Sequence, residues 1–248
     1  MPSALGPDLN SAIEELYEAF KEYPLPASMT PCPCCHSVDS ERPLYSRPLR
    51  ELRPKDLEQY ARDALLVWGG VNEFKHFLPR IFEIAAFGAP LPFPEREIVF
   101  SKLDHGEWRA WPRQEQQSVQ NFLLKLWRSA LEQPPCRDLQ IGPETEGWLC
   151  ALAQTRADLS PYLNQWLEAT TSSPNAAWNL AALIYRTGLP QSRFTAMSAF
   201  WQDHEEQLMQ VSAWLHSDAV QKSLETAAHL PANQAFAEEL LAAAATVS

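Results

Sequence analysis

Apolar residues recur every three to four positions along most of this chain, which is the spacing of amphipathic α-helices. The longest stripe runs over three turns without interruption. It consists of Val119, Phe122, Leu123, Leu126, Trp127, Ala130 and Leu131. Alternating apolar and polar residues, which mark half-buried strands, are almost absent. The pattern therefore predicts an all-α fold with about ten helices.

Further stripes place the remaining helices. They cover Ile13–Phe20, Leu57–Trp68, Val71–Ala85, Trp148–Leu152, Leu163–Leu167, Ala177–Ile184 and Phe194–Leu208, followed by Asp218–His229 and Asn233–Ala245. Gly69 and Gly70 are expected to end the second helix, and Gly188 to cap another one. Pro79 falls inside the third stripe, where it either kinks the helix or starts a new segment.

Short polar links between helices of this length favour antiparallel neighbours. We expect antiparallel helical pairs that form an irregular bundle or a short α-solenoid of the HEAT type, although no clean repeat is present. Proline-rich stretches suggest the boundaries. The prediction is an N-terminal helical subdomain over 1–135, with a Cys-rich and Pro-rich loop at 23–54, and a C-terminal acidic helical subdomain over 143–248.

The formal net charge is −11, and the acidic excess is largest in the second part of the chain. Residues 144–248 hold 11 acidic and 4 basic side chains, a net of −7, whereas residues 1–143 hold 20 and 16, a net of −4. An acidic surface repels phosphate backbones, so nucleic acid is disfavoured in spite of a basic run from Arg42 to Lys55. The same field would speed the encounter with a basic protein, or it simply keeps the chain soluble.

The expected location is the cytoplasm. The first residues lack a basic region followed by an apolar run, and no stretch of 18 apolar residues occurs, so neither a secretory signal nor a membrane span is predicted. Five cysteines, three of them crowded into one place, fit a reducing compartment better than a disulfide framework.

The segment Cys32-Pro-Cys-Cys-His36 concentrates thiols and an imidazole, the ligands that a borderline-soft cation prefers. Cys32 and Cys35 have the C-x-x-C spacing with which two thiolates hold one tetrahedral ion. We predict that these two residues bind zinc in a structural role, with Cys34 or His36 assisting.

A further ligand would have to come from elsewhere in the chain, and His76 and His105 are the nearest candidates in sequence. A thioredoxin-like redox site is less favoured, because no strand pattern precedes the C-x-x-C. The other alternative is a turn whose cysteines are free or buried.

The segment from Trp68 to Arg80 mixes polar residues with aromatic ones. On a helix, Glu73 and His76 lie near one face and are the candidate general acid and base. The alternative interpretation is that the phenylalanines here form core while the polar residues cap the helix and pair with neighbours.

The stretch Asp203-His-Glu-Glu206 resembles the start of a zincin motif, but Leu208 stands where the second histidine is needed. Zincin chemistry therefore fails here, and a solvated acidic face is favoured. Glu205 and Glu206 are the predicted partner-binding residues.

Phosphate-loop, dinucleotide-binding and nucleophile-elbow motifs are all missing from the sequence. A helical scaffold with an acidic second part favours a non-enzymatic protein-binding module, such as an immunity or adaptor protein that neutralises a basic partner. The alternative is a metal-dependent or general acid/base enzyme with its site near the Cys32–His36 loop and His76.

Several segments together resemble a family of uncharacterised bacterial proteins. These are the C-x-x-C turn, RPLRELRPKDLEQYARDALLVWGGVNEFKHFLPRIFEI, NLAALIYRTG, FWQDHEEQ and VSAWLHSDAV, between Cys32 and Leu224. The most specific part is the WG-x-V-x-x-F-x-HFLPR segment, in which the family tends to carry an acidic residue where Gly70 stands here. The resemblance implies a bacterial source and a cytosolic location, and no reaction.

Overall fold

The computed structural model describes residues 7–29, 32, 34–35, 37–88, 92–134, 144–187 and 198–247. Over these ranges the fold is all-α, as predicted, and they contain no β-strand. The α-helices are α1 Pro7–Ala19, α2 Pro54–Asp63, α3 Val71–Ala86, α4 Arg96–His105, α5 Arg113–Leu131, α6 Glu144–Ala153, α7 Ser160–Thr170, α8 Pro174–Thr187, α9 Glu205–Leu215, α10 Asp218–Ala228 and α11 Ala237–Val247. Short 3₁₀ helices cover Val38–Tyr45, Leu49–Glu51, Trp108–Ala110, Ala199–Trp201 and Pro231–Phe236. None of the described helices is both long enough and apolar enough to cross a bilayer.

The chain divides into two compact units, Met1–Leu126 and Trp127–Ser248. The division falls inside α5, so this helix contributes to both units. Each unit has its own set of buried apolar side chains.

Helix α3 is central to the first unit, where it contacts α1, α2 and α4. Its apolar side chains from Phe74 to Ala85 are buried, and Phe82 packs its ring against Phe100 of α4 and Phe122 of α5 at centroid distances of 5.0 and 5.6 Å. Burial of each such side chain contributes about 1.5–3 kcal/mol. The helix is continuous through Pro79, so this proline does not start a new segment.

The second predicted helix is shorter than its apolar stripe. Helix α2 ends at Asp63, and Leu65 has a left-handed backbone with φ of 65°. Trp68, expected on the helix, lies in the turn, where a bridge joins its backbone to Ala64. The prediction was wrong here because an apolar residue in a tight tertiary turn has the same appearance in sequence as one on a helix face.

Two further elements of the first unit escaped the pattern. Helix α4 buries Glu97 and Lys102 beside its apolar residues, so its stripe is blurred in the sequence. The 23–54 region was expected to be non-helical, yet it forms 3₁₀ helices at Val38–Tyr45 and Leu49–Glu51.

The second unit is organised around tryptophans. The rings of Trp127 and Trp166 meet edge to face at 5.3 Å. Their indole N–H groups donate to the backbone carbonyls of Tyr162 and Ala176, at 2.8 and 3.0 Å. Buried indoles are stable when the N–H finds such an acceptor. Helix α8 contacts α7, α10 and α11, and α10 packs on α11.

One predicted helix of the second unit is divided. Trp201 ends a 3₁₀ turn, whereas Leu208 lies in α9, which begins at Glu205. The other residues of that stripe, Phe194 and Met197, lie outside the described residues, as does Gly188.

A buried ion pair joins α3 to α5 within the first unit. Lys75 Nζ lies 2.7 Å from Glu115 Oε2, and the two residues are 5% and 6% exposed. The hydroxyl of Tyr23 donates to Glu115 Oε1 at 2.7 Å and accepts from Lys75 at 3.0 Å. The ammonium group also lies over the rings of Tyr23 and Trp111, at 4.9 and 4.5 Å. Each charge is therefore compensated on several sides.

Lys75→Met should destabilise the protein by about 3–5 kcal/mol, because it leaves the Glu115 carboxylate buried without its cation. The double variant Lys75→Met/Glu115→Leu should recover more than half of that loss, because no lone charge remains. Urea denaturation followed by circular dichroism measures both. A single-variant loss below about 1 kcal/mol would mean that water reaches the carboxylate.

Lys102 is a second buried cation, 1% exposed. Its Nζ donates to the backbone carbonyl of Arg62 at 2.5 Å, near the end of α2, where helix carbonyls lack intrahelical partners. Burial lowers the pKa of Lys102 to about 8, and the nearby Asp63 carboxylate only partly opposes this effect.

Between pH 8 and about 10.4 the unfolded chain holds a proton on Lys102 that the folded chain has lost, so this residue makes stability rise with pH. Lys102→Met should abolish that contribution. The free energy of unfolding of the wild type, minus that of the variant, should increase by about 1–2 kcal/mol across this window. Denaturation curves at intervals of half a pH unit test this, and a constant difference would contradict it.

Candidate metal centre

The three clustered cysteines lie in one tight turn. The backbone N–H of Cys35 donates to the carbonyl of Cys32 at 3.0 Å, which closes a four-residue turn. The Sγ of Cys34 is 2.7 Å from that of Cys32 and 3.6 Å from that of Cys35. All three sulfurs lie within 4.8 Å of one another.

Backbone and indole hydrogen bonds hold this turn against the α2–α3 connection. The Cys32 N–H donates to the carbonyl of Val67 at 2.9 Å. Three residues earlier, the carbonyl of Met29 accepts the indole N–H of buried Trp68 at 2.9 Å. The Met29 N–H donates in turn to Glu41 Oε2 at 2.8 Å. Cys32 and Met29 are therefore each held in place by hydrogen bonds.

The glycine in the α2–α3 connection is required by its geometry. Gly69 has a φ of 72°, which side chains rarely adopt, and a Cβ there would lie 3.3 Å from the Cβ of Glu73. The ring of Trp68 packs edge to face on Tyr60 at 5.5 Å. This packing orients the indole toward the segment that carries the cysteines.

The cysteines are free and accessible. Cys32 is half-buried, and Cys34 and Cys35 are exposed. The thiol of Cys34 forms its main hydrogen bond with the sulfur of Cys32. This bond lowers the pKa of Cys32 and raises the pKa of Cys34 to about 11. Three convergent sulfur donors can hold a soft or borderline metal ion.

The histidines named as further ligands do not join this cluster. His76 Nδ1 lies 2.8 Å from the carbonyl of Tyr23, and His105 Nδ1 lies 2.7 Å from the carbonyl of Ser101. Among the described residues, the cluster of potential ligands contains the three cysteines alone. Neither candidate therefore belongs to the cluster in this structure, because the His76 ring is held by the carbonyl of Tyr23 and the His105 ring by a carbonyl of its own helix, α4. His36 lies outside the described residues.

Cys34 is a larger part of the cluster than the sequence suggested. C-x-x-C spacing directed attention to Cys32 and Cys35, whereas Cys34 is the residue whose sulfur lies close to both others. The signal available in the sequence was the C-x-C-C adjacency itself.

Glu73 and His76, the candidate acid and base, have structural contacts. Glu73 Oε2 accepts the N–H of Gly70 at 3.0 Å and so caps α3. The His76 ring meets Phe77 edge to face at 4.7 Å. A catalytic role for the two residues stays a prediction.

An open cleft of about 340 Å³ lies between α1 and α5 in the first unit. It is lined by Glu15 and Glu18 of α1 and by Gln114, Gln117 and Asn121 of α5, among others, and neither Glu73 nor His76 contributes to it. The Asn121 amide already donates to Glu15 at 2.6 Å. The cleft offers amides, carboxylates and the hydroxyl of Ser118.

The Asp203–Glu206 stretch divides its side chains between core and solvent. His204 is buried, and its Nε2 lies 2.9 Å from Gln154 Oε1, whereas Glu205 and Glu206 are exposed in the first turn of α9. Met209, one turn further on, is 56% exposed. We call Glu205, Glu206 and Met209 the α9 face.

No protein-family model, curated protein or solved structure matches this chain. The likeness to a bacterial family therefore stays a prediction. Any function proposed for the chain rests on its own residues and their geometry.

Proposed function

We propose that the chain is a non-enzymatic, cytoplasmic protein-binding module, of the immunity or adaptor kind, that neutralises a basic partner through the α9 face. The observation that carries the proposal is an exposed methionine beside two exposed carboxylates. Positions three and four residues apart on a helix share one side, so Glu205, Glu206 and Met209 form one surface.

The charges of this face are available to a partner. The carboxylates of Glu205 and Glu206 have no ion-pair or hydrogen-bond partner among the residues that the structure describes. Methionine is a flexible apolar side chain that suits adaptable binding surfaces. An exposed methionine beside two carboxylates is complementary to a partner segment that carries both apolar and basic side chains. The net charge of −7 over residues 144–248 strengthens the attraction.

Zinc is the ion that we propose for the cysteine cluster. Three sulfurs within 4.8 Å of one another support a shared ion, and thiolates are among the usual ligands of zinc. Bound there, the ion would hold the 32–35 turn in one conformation beside the α2–α3 connection. This second role concerns the first unit and is independent of the α9 face.

The α9 proposal predicts a kinetic effect of charge reversal. Glu205→Lys/Glu206→Lys should lower the association rate constant for the partner by about threefold to tenfold at low salt, with little change in dissociation. The partner is first isolated by co-purification with the wild-type chain. Association is then followed by stopped-flow fluorescence at several ionic strengths.

Glu238→Lys/Glu239→Lys is the matched control, because these residues are also exposed acids in a first helical turn. In both double variants the lost carboxylates stabilised a helix N-terminus by at most about 1 kcal/mol each. The two variants should therefore have similar free energies of unfolding. Equal losses of association rate in the two variants would contradict the α9 placement. An association rate independent of salt would contradict the electrostatic mechanism.

The zinc proposal predicts about one metal ion per chain in protein purified without chelator. Cys34→Ser should reduce the metal content well below that of Cys136→Ser, a control that also removes one thiol. Mass spectrometry of the metals identifies the ion and its amount. If a variant that lacks Cys32, Cys34 and Cys35 keeps the same metal content, the metal site lies elsewhere in the chain. If the bound ion is copper or iron, the site is not a zinc site.

A further inference from the structure

The three thiols of the cluster come from four consecutive residues, and this spacing limits how they can surround an ion. A closed structural zinc site collects four ligands from segments that approach the ion from different sides. Cys32, Cys34 and Cys35 belong to one turn, closed by its own backbone hydrogen bond. All three sulfurs therefore approach from the same side.

The exposure of the thiols shows what lies on the side of the ion opposite the three sulfurs. Cys34 and Cys35 are exposed, while the half-buried Cys32 is attached through its backbone to Val67. An ion held by the three sulfurs would thus sit on the outer surface of the turn, between the thiols and solvent.

The sulfur positions need little adjustment to hold an ion. With Zn–S bonds of about 2.3 Å, the sulfurs of a tetrahedral site lie about 3.8 Å apart. The Cys34–Cys35 distance of 3.6 Å is already close to this value. The Cys32–Cys34 distance of 2.7 Å must widen by about 1 Å, which rotation of the exposed Cys34 side chain allows.

We propose that a metal ion on Cys32, Cys34 and Cys35 keeps its fourth coordination position open to solvent and takes there a thiolate from outside the chain. This inference rests on the metal site proposed above. A soft ion that already has three thiolate ligands is matched by a fourth ligand of the same class. The incoming thiol gives its proton to solvent as its sulfur bonds to the ion, and no oxidation state changes.

Two sources could supply that sulfur: a small thiol, or a cysteine of a second copy of this chain. The small thiol gives one metal per chain on a monomer. A second copy gives one metal between two chains. Both satisfy the proposal, and the state of assembly distinguishes them.

Cobalt(II) is the probe, because its bonds to thiolates absorb light and the intensity rises with the number of sulfurs. The reduced full-length protein is loaded with cobalt under anaerobic conditions and titrated with glutathione, while light scattering reports its mass. The expected result is an increase of about 1.3-fold in the thiolate-to-cobalt absorption, as three sulfurs become four, on a monomer. Four-sulfur absorption on a dimer before glutathione is added would identify the second copy as the source.

The variant His36→Ala decides whether the side chain of His36 occupies the fourth coordination position of the ion. It should respond to glutathione as the wild type does. A wild type that does not respond, beside a His36→Ala variant that does, would assign the fourth position to His36 and overturn the inference. A failure of both proteins to respond, with cobalt bound to a monomer, would also overturn it. A protein that binds no cobalt would overturn the metal site itself, and this result is distinguishable because the absorption is then missing from the start.

Discussion

The hydrogen bond from the Trp68 indole to the Met29 carbonyl determines where the cysteines lie. A buried indole N–H needs an acceptor, and the acceptor in this case is the backbone just before the cysteine turn. Tyr60 packs against the same ring, and Gly69 gives the chain the left-handed conformation that lets α3 start directly after it. Without this contact, the bond from the Cys32 N–H to Val67 would remain to hold the turn against the α2–α3 connection, and the turn would be less firmly placed on the first unit.

Sequence periodicity predicted the fold class and most helices, because helices that bury one face must repeat apolar residues at that spacing. Every residue of the apolar stripe from Val119 to Leu131 is buried in α5. The pattern failed where tertiary contacts replaced helical ones. Trp68 is apolar and buried, so it extends the stripe of α2, yet its ring contacts Tyr60 from a turn. Helix α4 was missed for the opposite reason, since buried Lys102 looks like a surface residue in the sequence.

The candidate site was predictable in its composition and not in its shape. Thiols within four residues identify a potential metal cluster, but only coordinates show that Cys34 lies between the other two sulfurs. The distant contacts of His76 are also invisible in the sequence, because its ring is held by the carbonyl of Tyr23, 53 residues away. The same holds for Lys75 and Glu115. Their charges predict exposed side chains, whereas the structure shows them paired inside the first unit.

The compactness of the cysteine turn has a thermodynamic consequence. The three ligands are only one to three residues apart, so no long loop has to close to bring them together. The entropy cost of gathering them around an ion is therefore nearly the same in the folded and the unfolded chain. An ion that binds both states with similar affinity shifts the equilibrium between them very little. Such a cluster would act as a local chelator carried on the fold, unlike a zinc finger, whose fold depends on its metal. Metal could then enter and leave this chain without unfolding it.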